Sequence, residues 1–326
     1  MRKTRAAFIS AGGDPYLLLL MLRLFKRWRD EVDKLYICYN AVISPEISNY
    51  LESEAKKDPK IEWIFVPRAL GFGDPIKECL KVCKEDLIVL LEDDGFVYQP
   101  RLLDSMFKRI ESGECDALGS PRFSCSPGIA EATKKKYNLD YSGTDDVGPN
   151  FWPNFLFLKR EDLLKTDLFF GGKGWKKGEY IKELDMTCEN DEAGDTFVWT
   201  CMQLRAMGLR FISIPQNHAS PTEIEDIPLK RYNHKNGFIG WIHGGSLSSG
   251  WNSFLVTPQV EPEGLGKQEF ETRVAFWTLI SDVEKIPDNE FYIKYKMGIR
   301  RLTEECKLDL IRINQKYSFY KILLQI

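Results

Sequence analysis

The sequence has few histidines, no long uninterrupted apolar run and little excess charge. Only three histidines occur in 326 residues, which leaves few candidates for an imidazole ligand. The net charge of −3 excludes a global basic field that would attract nucleic acid or a membrane surface. The most apolar early stretch, residues 17–24, is interrupted by Arg23 and followed by Lys26 and Arg27. It is therefore shorter than the ~20 apolar residues of a membrane-spanning helix.

The sequence also lacks a disulfide or zinc framework and a recognisable leader. Its eight cysteines are scattered, and the four-residue spacing of Cys79 and Cys83 is not that of a zinc site. We expect most of them to be reduced, partly buried thiols. The basic start at residues 1–5 leads into a predicted strand, without a small-residue cleavage site. These features predict a soluble, cytoplasmic protein.

Strands and helices alternate along the first third of the chain. Apolar strand patterns are separated by segments of helical length, and two of those segments begin with proline after a capping residue, at Asp14-Pro15 and Ser44-Pro45. The predicted strands cover residues 6–10, 34–39, 61–66 and 87–91. This order indicates βαβ units and a parallel sheet.

The fourth predicted strand ends in three consecutive acids. Five aliphatic residues, 87–91, run directly into Glu92, Asp93 and Asp94. Such a run suits a strand buried on both faces, and ligands of parallel sheets bind outside the carboxyl ends of the strands. Adjacent carboxylates repel one another unless a hard cation lies between them. Two interpretations follow: a divalent-metal site for a phosphorylated ligand, or an acidic surface turn.

A glycine loop and a helix precede the acidic strand. The loop at residues 68–74, the helix and the strand resemble the nucleotide-sugar half of a GT-A-fold glycosyltransferase, and Glu92-Asp93-Asp94 is similar to that fold's DxD-type motif. The resemblance is to the large inverting nucleotide-sugar transferase family and spans residues 6–246. It implies an α/β fold, with a GT-A-like, mostly parallel sheet flanked by helices.

The resemblance also implies a division of the chain. Residues 1–265 would form the glycosyltransferase domain, with a nucleotide-sugar half at 1–120 and an acceptor or catalytic half at 121–265. Residues 266–326 lie outside the resemblance, and their own sequence predicts a helical extension. From residue 291 onward, this tail contains eight lysines and arginines but three acidic residues, so it carries an excess of positive charge. The tail is predicted either to pack on the core or a second subunit, or to present a basic face to a polyanion.

On the donor side, the resemblance implies Mn²⁺ or Mg²⁺ bridging the diphosphate, where it stabilises the leaving group. Asp94 would bind the metal, while Glu92 and Asp93 would contact the ribose or a water beyond the metal's direct ligands. Lys77 would reach the phosphates, with a solvated helical lysine as the alternative. Further residues would surround the nucleotide: Ser10, Ala11, Gly12, Asn40, Gly71, Phe72 and Gly73.

On the acceptor side, residues 189–199 resemble the family's Glu-Asp pair at a helix start, whose Asp is the general base. Gly194 stands where that pattern has Glu, so the match is partial. Asp195 is the predicted base, with Asp191 and Glu192 as substitutes, because inverting transfer needs one carboxylate to take the acceptor proton. The alternative is that Asp195 is only an N-cap.

Histidine and aromatic residues complete the predicted site. In the family a His after the last strand completes the metal shell or touches the diphosphate, and His243, which is followed by two glycines, matches that position. His218, three residues after Pro215, is the competing candidate. Two stretches, residues 121–153 and 170–192, are predicted to be irregular because they are rich in glycine and polar residues. Their aromatics either stack on sugars or anchor loops: Tyr137, Tyr141, Phe151, Trp152 and Trp175.

These residues predict a metal-dependent enzyme that moves a sugar from a nucleotide donor, a UDP-sugar in our prediction, to an acceptor hydroxyl with inversion. The acceptor class stays open between glycan, lipid-linked, protein and nucleobase acceptors. Two alternatives remain: a sugar-1-phosphate nucleotidyltransferase, and a non-catalytic glycan-binding or scaffold protein on the same fold.

Overall fold

A computed structural model describes residues 2–12, 15–40, 45–68, 70–71, 73–93, 95–97, 101–122, 125–139, 150–213, 237–238 and 241–243. The first half contains β1 (Arg5–Ala11), α1 (Pro15–Trp28), β2 (Lys34–Asn40), α2 (Pro45–Ala55), β3 (Ile61–Val66), α3 (Asp74–Val82), β4 (Leu87–Glu92), β5 (Gly95–Val97) and α4 (Leu102–Glu111). The next elements are β6 (Ala117–Arg122), α5 (Pro127–Tyr137), β7 (Asn150–Lys159) and α6 (Arg160–Leu163). Short strands and one helix follow: β8 (Lys173–Trp175), β9 (Tyr180–Ile181), β10 (Met186–Thr187), β11 (Glu192–Gly194), α7 (Val198–Ala206), β12 (Phe211–Ser213), β13 (Gly237–Phe238) and β14 (Trp241–His243).

Seven strands form the central sheet in the order β3-β2-β1-β4-β7-β6-β12. Strand β7 is antiparallel to β4 and β6, and every other neighbouring pair is parallel. The mostly parallel sheet flanked by helices confirms the predicted α/β, GT-A-like fold class. The strands predicted at residues 61–66 and 87–91 form as expected, and the latter extends to Glu92.

Helices cover both faces of the sheet. On one face, Ile76, Cys79 and Leu80 of α3 pack in one cluster with Phe8 and Tyr36 of β1 and β2. On the other, the α4 helix places the Phe107 ring 5.0 Å from that of Phe157 on β7. Because both faces are covered, all five aliphatic residues of β4 are buried.

The strand registers align the carboxyl ends of β1, β2 and β4. Ser10 pairs with both Cys38 and Glu92, and Ala11 pairs with Tyr39. The turn after β1, the end of β2 and the acidic end of β4 therefore lie along one edge of the sheet. This is the edge at which open α/β sheets bind their ligands.

Two stretches predicted to be irregular contain regular structure. Between residues 121 and 153 the chain forms helix α5 and the first part of β7, and between residues 170 and 192 it forms the short strands β8 to β10 and the first residue of β11. The prediction of α5 failed because proline and glycine at 127 and 128 were taken as loop signals, whereas proline is favoured in a first helical turn. The short strands carry too few residues for a visible alternation.

A second, smaller core lies under these short strands. It includes Ile129 of α5, Ile181 of β9 and Trp175, Trp199 and Met202, all buried. This core holds the hairpin of β8 and β11 against helices α5 and α7.

The aromatics predicted either to stack on sugars or to anchor loops are anchors wherever their side chains are described. Phe151 and Trp175 are 2% and 3% exposed, and the Tyr137 hydroxyl donates to the Glu183 carbonyl at 2.7 Å. Tyr141 and the Trp152 side chain lie outside the described residues.

The cysteines behave as predicted wherever they are described. The seven cysteines in that part of the chain are free, and all but Cys125 are buried. Burial raises the pKa of the Cys38 and Cys83 thiols to about 12. Such thiols stay protonated and poorly nucleophilic. None of the described helices is long and apolar enough to span a bilayer.

Candidate functional site

Asp93 joins the ends of β1 and β4. Its backbone N–H donates to the Ser10 carbonyl at 3.0 Å, and its Oδ2 accepts from the Gly12 N–H at 3.2 Å. The residue is only 2% exposed. A buried carboxylate needs such partners, because an unpaired one is costly to desolvate. Asp93 therefore fixes the turn of Ser10, Ala11 and Gly12, the segment predicted to lie under the nucleotide.

Asn40 connects that turn to the glycine loop. Its Nδ2 donates to the Ala11 carbonyl at 3.0 Å, and its Oδ1 accepts from the Leu70 N–H at 3.0 Å. The side chain is 7% exposed, so both amide atoms serve the fold at the carboxyl end of β2. Asn40 was predicted near the base of the nucleotide, and that contact stays a prediction.

Asn154 supports Glu92 from the antiparallel strand β7. Its Nδ2 donates to Glu92 Oε2 at 3.3 Å, and its Oδ1 accepts from the Glu92 N–H at 3.4 Å. Asn154 is fully buried, while Glu92 is half-buried. Sequence reasoning missed this residue. The available signal was a single amide at the start of the apolar strand pattern of 154–159, where a buried polar side chain demands a partner.

A small three-stranded sheet brings the end of the described chain back to the acidic turn. Strand β14 pairs antiparallel with β5, and His243 is directly opposite Gly95, the residue after Asp94. Opposite residues in such pairs have Cα atoms about 4.5–5.5 Å apart. The backbone of His243 therefore lies beside the predicted metal motif. The His243 side chain, Asp94 and His218 lie outside the described residues, so their roles as metal ligands stay predictions.

Phe170 connects the glycine loop to the start of α7. A Cβ on Gly73 would overlap the Phe170 backbone and Cβ, so only glycine fits there. The Phe170 carbonyl accepts from the Phe197 N–H at 2.9 Å, and the two rings stack at 5.6 Å. Phe197 follows Asp195 by two positions. The predicted donor loop and the predicted acceptor-side acid are thus joined through one phenylalanine.

Three further residues of the predicted donor site lie in the glycine loop and in helix α3. Lys77 lies on the partly exposed face of α3 with its Nζ 3.3 Å from Asp74 Oδ1, an ion pair within the first turns of the helix. Its contact with phosphate stays a prediction. Gly71 accepts from the Asp74 N–H at 2.9 Å and is exposed, and Phe72 lies outside the described residues.

Asp195 is exposed at the start of α7. Its Oδ1 accepts from the Thr196 N–H at 2.7 Å, and its carbonyl accepts from the Val198 N–H at 3.2 Å. A Cβ on Gly194 would lie 2.6 Å from Val198 Cγ1, which leaves no room for the Glu of the family pattern. The departure at this position therefore has a packing reason, and it leaves Asp195 in place.

The two substitute acids have other partners. Asp191 forms an exposed ion pair with Lys176 at 2.8 Å and accepts from the Lys177 N–H at 2.9 Å, and the hydrogen bond from Lys176 lowers the pKa of its carboxyl. Glu192 is 9% exposed, and its Oε2 accepts from the hydroxyl of Ser126, which precedes α5. Both acids therefore have evident structural roles. Among the described residues, the Asp195 carboxylate accepts from the N–H of the next residue, and the N-cap of α7 is Phe197, so Asp195 is not the N-cap.

The donor set at this edge suits a hard cation. Carboxylate oxygens are the ligands that Mg²⁺ and Mn²⁺ prefer, and the acidic turn supplies them on a rigid strand end. No group of three His, Cys, Asp or Glu side chains within the described residues is arranged to hold a metal ion. Asp94 and the His243 side chain, the two ligands that the sequence predicts, are not among those residues.

Comparison with known proteins yields likeness of fold. No protein-family model and no curated protein matches the chain. A mannosyltransferase from Pyrobaculum calidifontis, solved with GDP-Man and Mn²⁺, is 11% identical with a TM-score of 0.45, over 99% of this chain and 85% of that one. The glucosyl-3-phosphoglycerate synthase of Mycobacterium tuberculosis, solved with Mn²⁺ and UDP-glucose, is 14% identical with a TM-score of 0.35.

The match to that synthase covers 50% of this chain and 58% of the synthase. A 4-diphosphocytidyl-2C-methyl-D-erythritol synthase from Anaerococcus prevotii is 13% identical with a TM-score of 0.32, over 49% of this chain and 72% of that one. At identities and TM-scores this low, the likeness assigns no activity to this chain.

Proposed function

We propose that the protein is a metal-dependent glycosyltransferase that moves a sugar from a nucleotide-sugar donor to an acceptor hydroxyl. The supporting observation is the convergence at one sheet edge. The ends of β1, β2 and β4 meet there, and the pairing of β5 with β14 adds the backbone of His243 beside Gly95. Carboxylates at the carboxyl end of a parallel sheet suit a hard divalent cation, and such a cation would in turn bind the diphosphate, which the carboxylates alone would repel.

The donor half of the site would bind the nucleotide and its leaving group. Asp94 and His243 would hold Mn²⁺ or Mg²⁺, which when bound supplies positive charge to the departing diphosphate. Glu92, oriented by Asn154, would hold the ribose or a water near the metal. The donor in this proposal is a UDP-sugar.

The acceptor half would supply the base. Asp195 takes the proton of the acceptor hydroxyl as that oxygen attacks the anomeric carbon. The bond from that carbon to the diphosphate breaks in the same displacement, so the configuration inverts and the electron pair leaves with the nucleoside diphosphate. Asp195 suits this role because it is exposed and is joined to the donor loop through Phe197 and Phe170.

The first test is donor hydrolysis by the purified full chain. With Mn²⁺ present, we expect release of nucleoside diphosphate from at least one sugar nucleotide, and loss of most of that release in Asp94→Asn, since a metal ligand is removed. Asp185→Asn, at an exposed turn between β9 and β10, is the matched control and should retain activity. Absence of release from every sugar nucleotide tested would refute the transferase, and unchanged turnover in Asp94→Asn would refute the metal assignment.

The same assay separates the competing activity. A sugar-1-phosphate nucleotidyltransferase releases pyrophosphate from a nucleoside triphosphate, whereas the proposed enzyme releases a nucleoside diphosphate from a sugar nucleotide. The anomeric configuration of the product, measured by NMR, tests inversion.

A further inference from the structure

Lys173 lies next to the proposed base. It occupies β8 directly opposite Gly194 of β11, and Gly194 immediately precedes Asp195. A Cβ on the adjacent Gly172 would lie 3.9 Å from the Asp195 Cα. The short β8–β11 hairpin therefore brings the backbone of Lys173 next to that of the acceptor-side acid, although 22 positions separate Lys173 from Asp195 in the sequence.

Two buried indole rings hold the ammonium of this lysine. Lys173 Nζ lies 3.5 Å from the centre of the Trp199 ring and 5.5 Å from that of Trp175. Trp199 Nε1 donates to Asp167 Oδ2 at 2.7 Å, which fixes the ring under the cation. A cation over the face of a tryptophan is held electrostatically. Packing against these rings therefore fixes the position of the Lys173 ammonium before any ligand binds, whereas the ammonium of an ordinary surface lysine is free to move.

Lys173 has no acidic partner in the part of the chain that the structure describes. Its neighbour Lys176 pairs with Asp191 at 2.8 Å, and Lys165 pairs with Asp162 at 2.7 Å, whereas the Lys173 ammonium lies over the two rings. A ring face cannot satisfy all three N–H donors of an ammonium, so donors that point away from the rings remain for a ligand.

The backbone next to Lys173 carries few side chains. Gly172 precedes it, Gly174 follows it, and Gly194 is the residue opposite. Lys173 is half-buried and lies between two exposed glycines, so the surface on either side of its backbone is formed by main chain. Such a surface admits a compact anion with several oxygens, and backbone without side chains allows close approach.

We propose that Lys173 binds a phosphate group of the acceptor, which makes the acceptor a phosphorylated molecule. This proposal rests on the proposed function, because it takes Asp195 as the base that faces the acceptor. A phosphate on Lys173 would hold the acceptor hydroxyl near Asp195. The other phosphate group that could bind Lys173 is the diphosphate of the donor. In the proposed function, that diphosphate is held at the acidic turn of β4.

The test uses inorganic phosphate as the probe and the full chain without divalent metal. Titration is followed by calorimetry and by tryptophan fluorescence, since Trp199 lies under the ammonium. We expect saturable binding that Lys173→Met weakens by about tenfold or more, the loss of one hydrogen bond to a charged group. Lys173→Arg should retain most of the affinity, and Lys176→Met, the matched control, all of it.

A second measurement needs no variant. Phosphate should protect Lys173, and not Lys176, from acetylation of the unaltered protein, as read by mass spectrometry. Equal affinity in Lys173→Met and the original protein, or no protection of Lys173, would overturn the proposal. It would also be overturned if Lys173→Met weakened binding of UDP with Mn²⁺ and left phosphate binding unchanged.

Phosphate binding at Lys173 can be measured independently of the donor-hydrolysis test of the proposed function. Asp94→Asn should bind phosphate normally, because Asp94 belongs to the acidic turn and not to the hairpin. A chain that binds phosphate through Lys173 but hydrolyses no sugar nucleotide would keep this phosphate site and lose the proposed transfer reaction.

Discussion

At the proposed donor site, single polar side chains are positioned by partners from other strands. Asn154 is the clearest case, because its amide meets both the backbone and the carboxylate of Glu92. Phe155 adopts φ +61°, and this left-handed residue interrupts the regular strand beside Asn154. Such strain is kept where the surrounding structure specifies it, and here it accompanies the side chain that orients an acid of the predicted motif.

We therefore predict that Asn154→Ala weakens the proposed activity without unfolding the protein. Partners that orient a metal site typically contribute about 10- to 100-fold in affinity or activity, so the Mn²⁺ concentration for half-maximal donor hydrolysis should rise in that range. Asn49→Ala, on the exposed surface of α2, is the control and should leave it unchanged. An unchanged Mn²⁺ dependence in Asn154→Ala would show that Glu92 needs no such support.

At the scale of elements, the start of α5 is tied to the edge of β11 by Ser126. Its hydroxyl donates to the buried Glu192 carboxylate and accepts from the Ala193 N–H at 3.0 Å, and its N–H donates to the Ala193 carbonyl at 2.8 Å. Helix α5 and the β8–β11 hairpin thus form one unit over the second core. That unit positions both Asp195 and Lys173.

We predict that Ser126→Ala destabilises this unit. It leaves the buried Glu192 carboxylate without its hydroxyl donor, and an unsatisfied buried group costs about 1–3 kcal/mol in the free energy of unfolding. Urea denaturation followed by far-UV circular dichroism measures the change. Ser112→Ala, exposed after α4, should change the stability by less than about 0.5 kcal/mol. Equal stability of the two variants would contradict the structural role given to Ser126.

Across the whole molecule, ion pairs at the end of the sheet opposite to the site secure β1. Arg5 is 2% exposed, and its guanidinium donates to Glu111 at 2.9 Å and to Asp104 at 2.7 Å. The hydrogen bond from Arg5 holds the pKa of the Asp104 carboxyl below its usual range. The Thr4 N–H and hydroxyl similarly lower the pKa of Asp86.

These pKa shifts predict instability in acid. A carboxyl whose pKa is lower in the folded state contributes stability that is complete above its unfolded pKa of about 4 and is lost as the pH falls through the folded value. The urea midpoint should therefore decrease as the pH falls from about 5 toward 3. Asp104→Asn should flatten this decrease, whereas Asp30→Asn, whose side chain is 91% exposed, should not. Parallel profiles for the two variants would contradict the role of the Arg5 network.

Much of the fold could be predicted from local sequence. The alternation of strands with proline-started helices requires only residues that are near one another in the chain, and the buried run before Glu92 correctly indicated a central strand. Helix α5 was missed because its proline and glycine occur equally in loops. The antiparallel direction of β7 was also beyond local sequence, since strand patterns carry no direction.

The amino-acid sequence by itself determined the β4 strand, the acids at its end and the glycine loop before α3. Only the tertiary structure decided which distant residues meet there: Asn154 against Glu92, the backbone of His243 beside Gly95, Phe170 between Gly73 and Phe197, and Lys173 over Trp199. The physical reason is that periodicity reports burial along one segment. Contacts between segments depend on strand order, register and side-chain packing, which form only when the whole sheet assembles.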